Sequence, residues 1–284
     1  MVLNADLPAP PQQLDPRLAA ILKECAPMLV AYSGGVDSAY LAYAAQQTVP
    51  GQVLALIADS PSLPREALRS ALAFAAAHGI PCETIATAEF DNPDYRRNAS
   101  DRCFHCKDEL FQRMERELAC HPGFRTLVYG VNADDSLDFR PGHRAAQTHG
   151  VRAPLLEASL DKAAIRALAR AAALDVWDRP ASACLSSRVP YGIAVTPEIL
   201  ARIEAGEAAL AQLGFRQVRV RYHEQLVRIE IARDELPRAL DISMADRLTQ
   251  VFKHLGFAYV TLDLQGYRSG ALNEILPAAA PRPC

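Results

Sequence analysis

The chain has 284 residues, half of them hydrophobic, and a formal net charge of −3. That length suits one large domain and one small one. Without a basic footprint, nucleic acid is not expected as the main partner.

No apolar run reaches the roughly 18–20 residues of a membrane span. The polar, proline-rich start has neither the basic nor the apolar part of a signal peptide, and residues 1–15 read as a loose leader. Seven cysteines without such a signal point to a reducing cytoplasm, where paired cysteines more often serve metals or catalysis than disulfides.

The apolar run Pro27–Val30 reads as a first strand, and it runs into Ala31-Tyr-Ser-Gly-Gly-Val-Asp-Ser38. An alanine-rich helical pattern, Ser38–Gln47, follows. Strand, Gly-Gly turn and helix start form a geometry for gripping phosphate. Unpaired N–H groups, the helix dipole and the Ser33 and Ser38 hydroxyls point at one anion, and Gly34 and Gly35 let the backbone come close. The segment lacks the lysine of Gly-x-x-x-x-Gly-Lys-[Ser/Thr] and is not Gly-x-Gly-x-x-Gly. Ser-Gly-Gly-x-Asp-Ser resembles the PP-loop of the ATP pyrophosphatase superfamily. Members cleave ATP between the α and β phosphates and use AMP to activate a carbonyl or carboxylate oxygen. The competing reading is a turn that only joins a strand to a helix.

Gln52–Ala58 is continuously apolar, as a buried parallel strand is; Pro64–His78 has helical spacing and Cys82–Thr87 reads as a third strand. This alternation predicts an α/β, doubly wound, mostly parallel sheet, with ligands outside the carboxyl ends of its strands. Ala58 and Asp59 then share a rim with Ser33–Ser38, where the superfamily resemblance puts them against adenosine; Asp59 could equally be a capping residue. Phe90–Ser100 reads as a loop, Asp108–Leu118 as helix and Thr126–Gly130 as a strand. Asn132 and Asp134 past that strand suit Mg²⁺, ribose or substrate, or else a plain surface turn. A short helix from Arg140, a helical run Asp161–Ala172 and an aperiodic loop, Arg179–Gly192, follow.

From Thr196 the pattern changes to helix, two short strands, helix and strand, which predicts a small α+β domain with an antiparallel sheet. The expected organisation is therefore a PP-loop domain over 16–194, an α+β substrate or oligomerisation domain over 195–276, and an unordered tail over 277–284.

Three cysteines have telling neighbours. Cys103 and Cys106 form a Cys-x-x-Cys flanked by Arg102, His105 and Lys107 at a helix start, a setting that favours thiolate. Cys184 lies in the aperiodic loop between Arg179 and Arg188. A redox pair, zinc and inert thiols are all open, but three thiolates with no obvious fourth ligand suit a [4Fe–4S] cluster with one open iron better than structural zinc.

Ser33–Ser38, Asn92-Pro-Asp-Tyr95, Arg102-Cys-Phe-His-Cys-Lys107, Tyr129-Gly-Val-Asn-Ala-Asp-Asp135, Arg140-Pro-Gly142, Ala183-Cys-Leu-Ser-Ser-Arg188 with Pro190-Tyr-Gly192, and Gly266-Tyr-Arg-Ser-Gly270 occur in one order. Together they resemble the LarE family of ATP-dependent sulfur transferases over about residues 15–275. The resemblance implies thiolation of pyridinium-3,5-biscarboxylic acid mononucleotide on the route to the nickel-pincer nucleotide cofactor. It implies ATP held by Ser33, Gly34, Gly35, Asp37, Ser38, Ala58, Asp59 and Gly130, with Mg²⁺ on Asp37. Substrate carboxylate would attack the α-phosphate, and sulfur would displace AMP from the acyl-adenylate. In one version Cys184 is the consumed sulfur donor. In the other, Cys103, Cys106 and Cys184 hold a [4Fe–4S] cluster that carries the donated sulfide. All three cysteines are present, which favours the second.

Arg188, Arg221 and Arg268, with Asn132 and Asp134, are the candidates for binding the nucleotide-like substrate, since arginine grips phosphate and carboxylate in two-point contact. Arg221 sits in the loosest motif. The resemblance also implies a homo-oligomer, and a sulfur-donating partner is compatible with it. Two other readings stand beside this one: a tRNA-thiolating PP-loop enzyme, and a nucleotide-regulated metal- or cluster-binding module without catalysis.

Overall fold

The structure, a computed structural model, describes residues 14–137, 141–179 and 184–268. The expected tail, most of the leader, Arg140, Ala183, Ser269 and Gly270 lie outside those residues. In chain order the first elements are α1 (Pro16–Cys25), β1 (Met28–Ala31), α2 (Val36–Thr48), β2 (Val53–Asp59), α3 (Arg65–Ala77) and β3 (Cys82–Ala86). Then come α4 (Pro93–Arg96), α5 (Arg102–Cys120), β4 (Thr126–Tyr129), α6 (Pro141–Thr148), α7 (Pro154–Glu157) and α8 (Lys162–Ala171). The last are α9 (Pro197–Gln212), β5 (Val218–His223), β6 (Leu226–Ile231), α10 (Leu236–Ala239), α11 (Ile242–His254) and β7 (Tyr259–Leu262). No helix among the described residues is long and apolar enough to cross a membrane.

The chain divides into two compact units. The first holds a four-stranded sheet of order β3-β2-β1-β4, all parallel, so the fold is α/β. Every residue of β1 is buried, as in a strand covered on both faces. Leu29, Leu54, Leu56, Ile85 and Leu127 of the sheet pack with Phe111 and Met114 of α5 and Ala145 and Ala146 of α6. From β1 the chain winds outward through β2 to β3, then returns to lay β4 on the other side of β1. Strand order therefore reverses between β1 and β4, and the crevice outside their carboxyl ends is where such sheets bind ligands.

Helix α1 was not expected. Asp15, at the end of the expected leader, caps it by accepting from the Arg17 and Leu18 N–H groups, both at 2.9 Å, and Pro16 takes the first turn where no donor is needed. Likewise the expected loop Phe90–Ser100 contains α4, capped by Asn92 through the Asp94 N–H at 2.8 Å.

Among the described residues the second unit takes in 184–268 together with Pro61–Pro64 and Phe90–Arg102, segments that the sequence pattern grouped with the first domain. Its three-stranded sheet, order β5-β6-β7, is mixed rather than antiparallel: β5 and β6 are antiparallel, β6 and β7 parallel. The reason is connectivity. β5 and β6 are joined by the tight turn at Glu224, whereas α11 lies between β6 and β7 as a crossover. Strand alternation then splits the sheet into two faces. Val218, Val220, Val227, Ile229 and Ile231 join Leu200, Ile203 and Leu210 of α9 and Phe252 of α11 in the core. Arg219, Arg221 and His223 of β5 share the opposite face with their respective cross-strand neighbours Glu230, Arg228 and Leu226.

Candidate active site

The Ser33–Ser38 loop, the candidate phosphate site, begins where β1 ends. Gly34 has φ +74°, and a Cβ there would stand 2.6 Å from that of Ala71, so conformation and space both call for glycine. Gly35 caps α2 with no side-chain hydrogen bond, which leaves the first-turn N–H groups without a capping side chain. The Ser33 and Ser38 hydroxyls are 3.0 Å apart, and Ser38 also donates to the Gly35 carbonyl at 3.1 Å. Gly130, at the end of β4, comes so close that a Cβ on it would lie 2.8 Å from both N and Cα of Ser38. Two strand ends and one helix start thus converge at the switch point.

Asp37 lies in the first turn of α2. One carboxylate oxygen is paired with the Lys162 ammonium; the other is buried and has no hydrogen-bond partner. An orphaned buried carboxylate oxygen beside a phosphate loop fits the hard-oxygen chemistry of a Mg²⁺ ligand. Sequence reasoning missed Lys162, which stands 125 residues from Asp37 and belongs to no local motif. Its own backbone N–H donates to Asp134 at 3.0 Å, and the Asn132 side chain accepts from the Asp134 and Asp135 N–H groups. Asn132 and Asp134 therefore hold the turn that presents Lys162. On the β2 rim, Ala58 is half-buried, and exposed Asp59 is paired with Arg65.

Cys103 and Cys106 lie in the first two turns of α5, three residues apart and so on one helix face. Cys103 is exposed, Cys106 is half-buried, and neither is in a disulfide. Two thiols so placed fit two ligand positions of an iron–sulfur cluster. Among the described residues no three His, Cys, Asp or Glu side chains are grouped to hold a metal ion.

Cys184 belongs to the second unit, where its thiol is exposed on a firmly held backbone. Its carbonyl accepts from the Ser187 N–H at 3.0 Å, the Ser187 hydroxyl at 2.8 Å and Arg188 Nη1 at 3.0 Å. Arg188, 3% exposed, donates through Nε and Nη2 to both oxygens of Glu207 at 2.9 and 3.1 Å. Arg221, 5% exposed, makes the same fork on Glu230 at 2.9 and 2.8 Å, and its Nη1 reaches the Ser187 carbonyl at 3.0 Å. Both guanidinium forks are thus turned to internal carboxylates in this structure. Arg268 is half-buried at the end of the described residues.

Arg219, two residues before Arg221 on the same sheet face, was also missed; strand alternation alone would have found it. Burial and the neighbouring Arg188 cation pull its guanidinium below the usual pKa, and it sits 4.9 Å over the Tyr267 ring. His223 closes the row: burial and the cations of Arg228 and Arg221 lower its pKa and keep the imidazole neutral. Its buried Nε2 has no hydrogen-bond partner. An exposed thiol beside an arginine-rich, partly neutralised face can deliver sulfur to an anionic acceptor.

No protein-family model matches the chain. An uncharacterized protein of Synechocystis is 43% identical over 249 residues, which is 87% of this chain and 92% of that protein. Pyridinium-3,5-bisthiocarboxylic acid mononucleotide synthase of Lactiplantibacillus plantarum is 34% identical over 263 residues, 92% of this chain and 94% of the relative. The chain belongs to the LarE family. A more distant relative, an uncharacterized protein of Methanocaldococcus jannaschii, is 27% identical over 242 residues, 85% of this chain. The LarE relationship spans the phosphate loop and both cysteine-bearing segments, since it covers nearly the whole chain.

Proposed function

We propose that this protein is an ATP-dependent sulfur transferase. In this reading it thiolates the carboxylates of pyridinium-3,5-biscarboxylic acid mononucleotide during nickel-pincer nucleotide biosynthesis. The observation that carries the reading is the kinship with the Lactiplantibacillus plantarum synthase over 92% of the chain. The chemistry follows from the substrate. A carboxylate is a poor electrophile until one oxygen becomes a good leaving group. ATP provides one: the carboxylate attacks the α-phosphate, pyrophosphate departs, and the acyl-adenylate carries AMP. The open start of α2 and the Ser33 and Ser38 hydroxyls hold the phosphates; Asp37 holds Mg²⁺, and Lys162 stands beside them as a second cation. Sulfur then forms a C–S bond to the carbonyl carbon and AMP leaves with the C–O electron pair.

In the version we favour, Cys103, Cys106 and Cys184 hold a [4Fe–4S] cluster, which when bound supplies a sulfide as the sulfur to be transferred. What supports it is the pair of accessible thiols in the first two turns of α5 and the exposed thiol of Cys184. A second version has one specific observation in its favour: an exposed Cys184 on an immobilised backbone also suits a donor consumed in the reaction. The substrate is a small anionic nucleotide, and the protein acts in the cytoplasm as a homo-oligomer, with sulfide from a donor partner.

The test is an anaerobic incubation with MgATP and the biscarboxylate nucleotide, following AMP, pyrophosphate and thiocarboxylate by mass. Iron retained and protein mass unchanged over many turnovers supports the cluster version. Loss of the mass of H₂S at Cys184 supports the consumed donor. AMP formed only with tRNA sinks both.

A further inference from the structure

The backbone around Cys184 is held by buried polar side chains of the segment 95–102. Asn98 is 0% exposed and has φ 56°, a left-handed conformation that asparagine adopts more readily than most non-glycine residues. Its amide nitrogen faces three carbonyls of the segment after Cys184: Val189 at 3.3 Å, Pro190 at 2.8 Å and Ile193 at 2.9 Å. Its own carbonyl accepts from the Gly192 N–H at 3.1 Å. Arg102, 5% exposed, donates from Nη1 both to the Asn98 side-chain oxygen and to the Ser186 carbonyl, the latter at 2.8 Å. Tyr95, 1% exposed, joins its hydroxyl to that of Ser186 at 2.8 Å.

We infer that Asn98, Arg102 and Tyr95 form a positioning clamp that holds the Cys184 segment in register for sulfur transfer. The inference rests on the sulfur-transfer reading. Two fates compete for the acyl-adenylate. Sulfur attack forms the C–S bond and expels AMP; water attacking the same carbon expels AMP and returns the carboxylate. Misplacement of a reacting group by about 1 Å costs on the order of a hundredfold in rate. A loosened Cys184 segment therefore slows the first fate and leaves the second untouched. A buried amide that faces three carbonyls does more than fill space: an apolar residue of the same volume takes that donor from Val189, Pro190 and Ile193. Among the described residues, only the Pro190 carbonyl of the three also accepts from a backbone N–H, that of Ile193 at 3.2 Å.

The clamp is tested with Tyr95→Phe, which keeps the buried ring and removes only the hydroxyl, and with Asn98→Ala and Arg102→Lys. The first readout is amide hydrogen exchange over 185–195 in the full-length protein, where Asn98→Ala is expected to lower protection about tenfold. The second is thiocarboxylate formed per AMP. That ratio is expected to fall about tenfold in Asn98→Ala and less in Tyr95→Phe, with pyrophosphate release in the adenylation step unchanged. Arg102→Lys retains a cationic donor and is expected to lie between them. A variant that loses protection yet keeps the ratio overturns the inference, and so does unchanged protection in Asn98→Ala. A wild-type protein that consumes ATP and makes no thiocarboxylate overturns the sulfur-transfer reading instead.

Discussion

Gly130 and Lys162 show how single residues set the proposed phosphate site. A methyl group at Gly130 meets backbone at the start of α2, and backbone cannot swing aside as the end of a long side chain can. Gly130→Ala is thus expected to lower stability by about 1–3 kcal/mol, the range for overpacking, and to weaken ATP binding as well. Denaturant midpoints and nucleotide titration check both. Lys162→Met leaves Asp37 without its cation. If Lys162 also meets the phosphates, the KM for MgATP rises about tenfold, the range of one charge-assisted contact, while Lys162→Arg recovers part of the loss. An unchanged KM would show that the ammonium only neutralises Asp37. The motif Ser33–Ser38 was readable from sequence because all its parts are adjacent. Lys162 was not, because only the packing of α8 beside α2 brings it to Asp37.

Between elements, two charged clusters fix geometry and make measurable claims. His149, just past α6, stands 3.0 Å from Asp108 and 3.0 Å from Glu115, both on α5. Burial pulls its pKa down, but hydrogen bonds to the two carboxylates outweigh that and raise it. A His whose folded pKa is raised contributes stability fully present below its unfolded pKa, about 6.5. That contribution is lost as pH rises through the folded value. Thermal midpoints of the wild type are therefore expected to fall, relative to those of His149→Gln, as pH climbs above that of ordinary histidine. Parallel midpoint curves for the two proteins would show that the His149 contacts with Asp108 and Glu115 add no pH-dependent stability. On the β5–β6 face, Glu230 is 0% exposed and takes charge from both Arg221 and Arg228. Glu230→Ala leaves two cations without it and is expected to destabilise by about 3–5 kcal/mol, as urea unfolding would show. The alternation of β5 was visible in VRVRYH, yet its meaning was half legible. A pattern of alternating arginines shows a polar face but not that Glu230, from the neighbouring strand, occupies the Arg221 fork.

At the scale of the molecule, the division into units decides what can be separated. Sequence pattern placed the boundary near 194, where strand-and-helix alternation gives way to a different order. Alternation reads local periodicity; it does not read which core a loop packs into. Leu185 and Val189 lie before that boundary and are 0% and 1% exposed, in one apolar cluster with Val195, Leu200, Ile203 and Phe252 from after it. Phe90 packs against the same cluster. A chain cut after residue 194 therefore keeps part of the core and loses what covers it. The 1–194 fragment is expected to expose that apolar surface, bind a hydrophobic dye and precipitate, and to lose ordered hydrogen bonding around Cys184. Solubility, dye fluorescence and near-ultraviolet circular dichroism test this together. A soluble, monodisperse fragment with sharp aromatic dichroism would mean that the Cys184 segment folds with the first unit. Then the sequence boundary would stand, and the clamp around Asn98 would belong to the first unit alone.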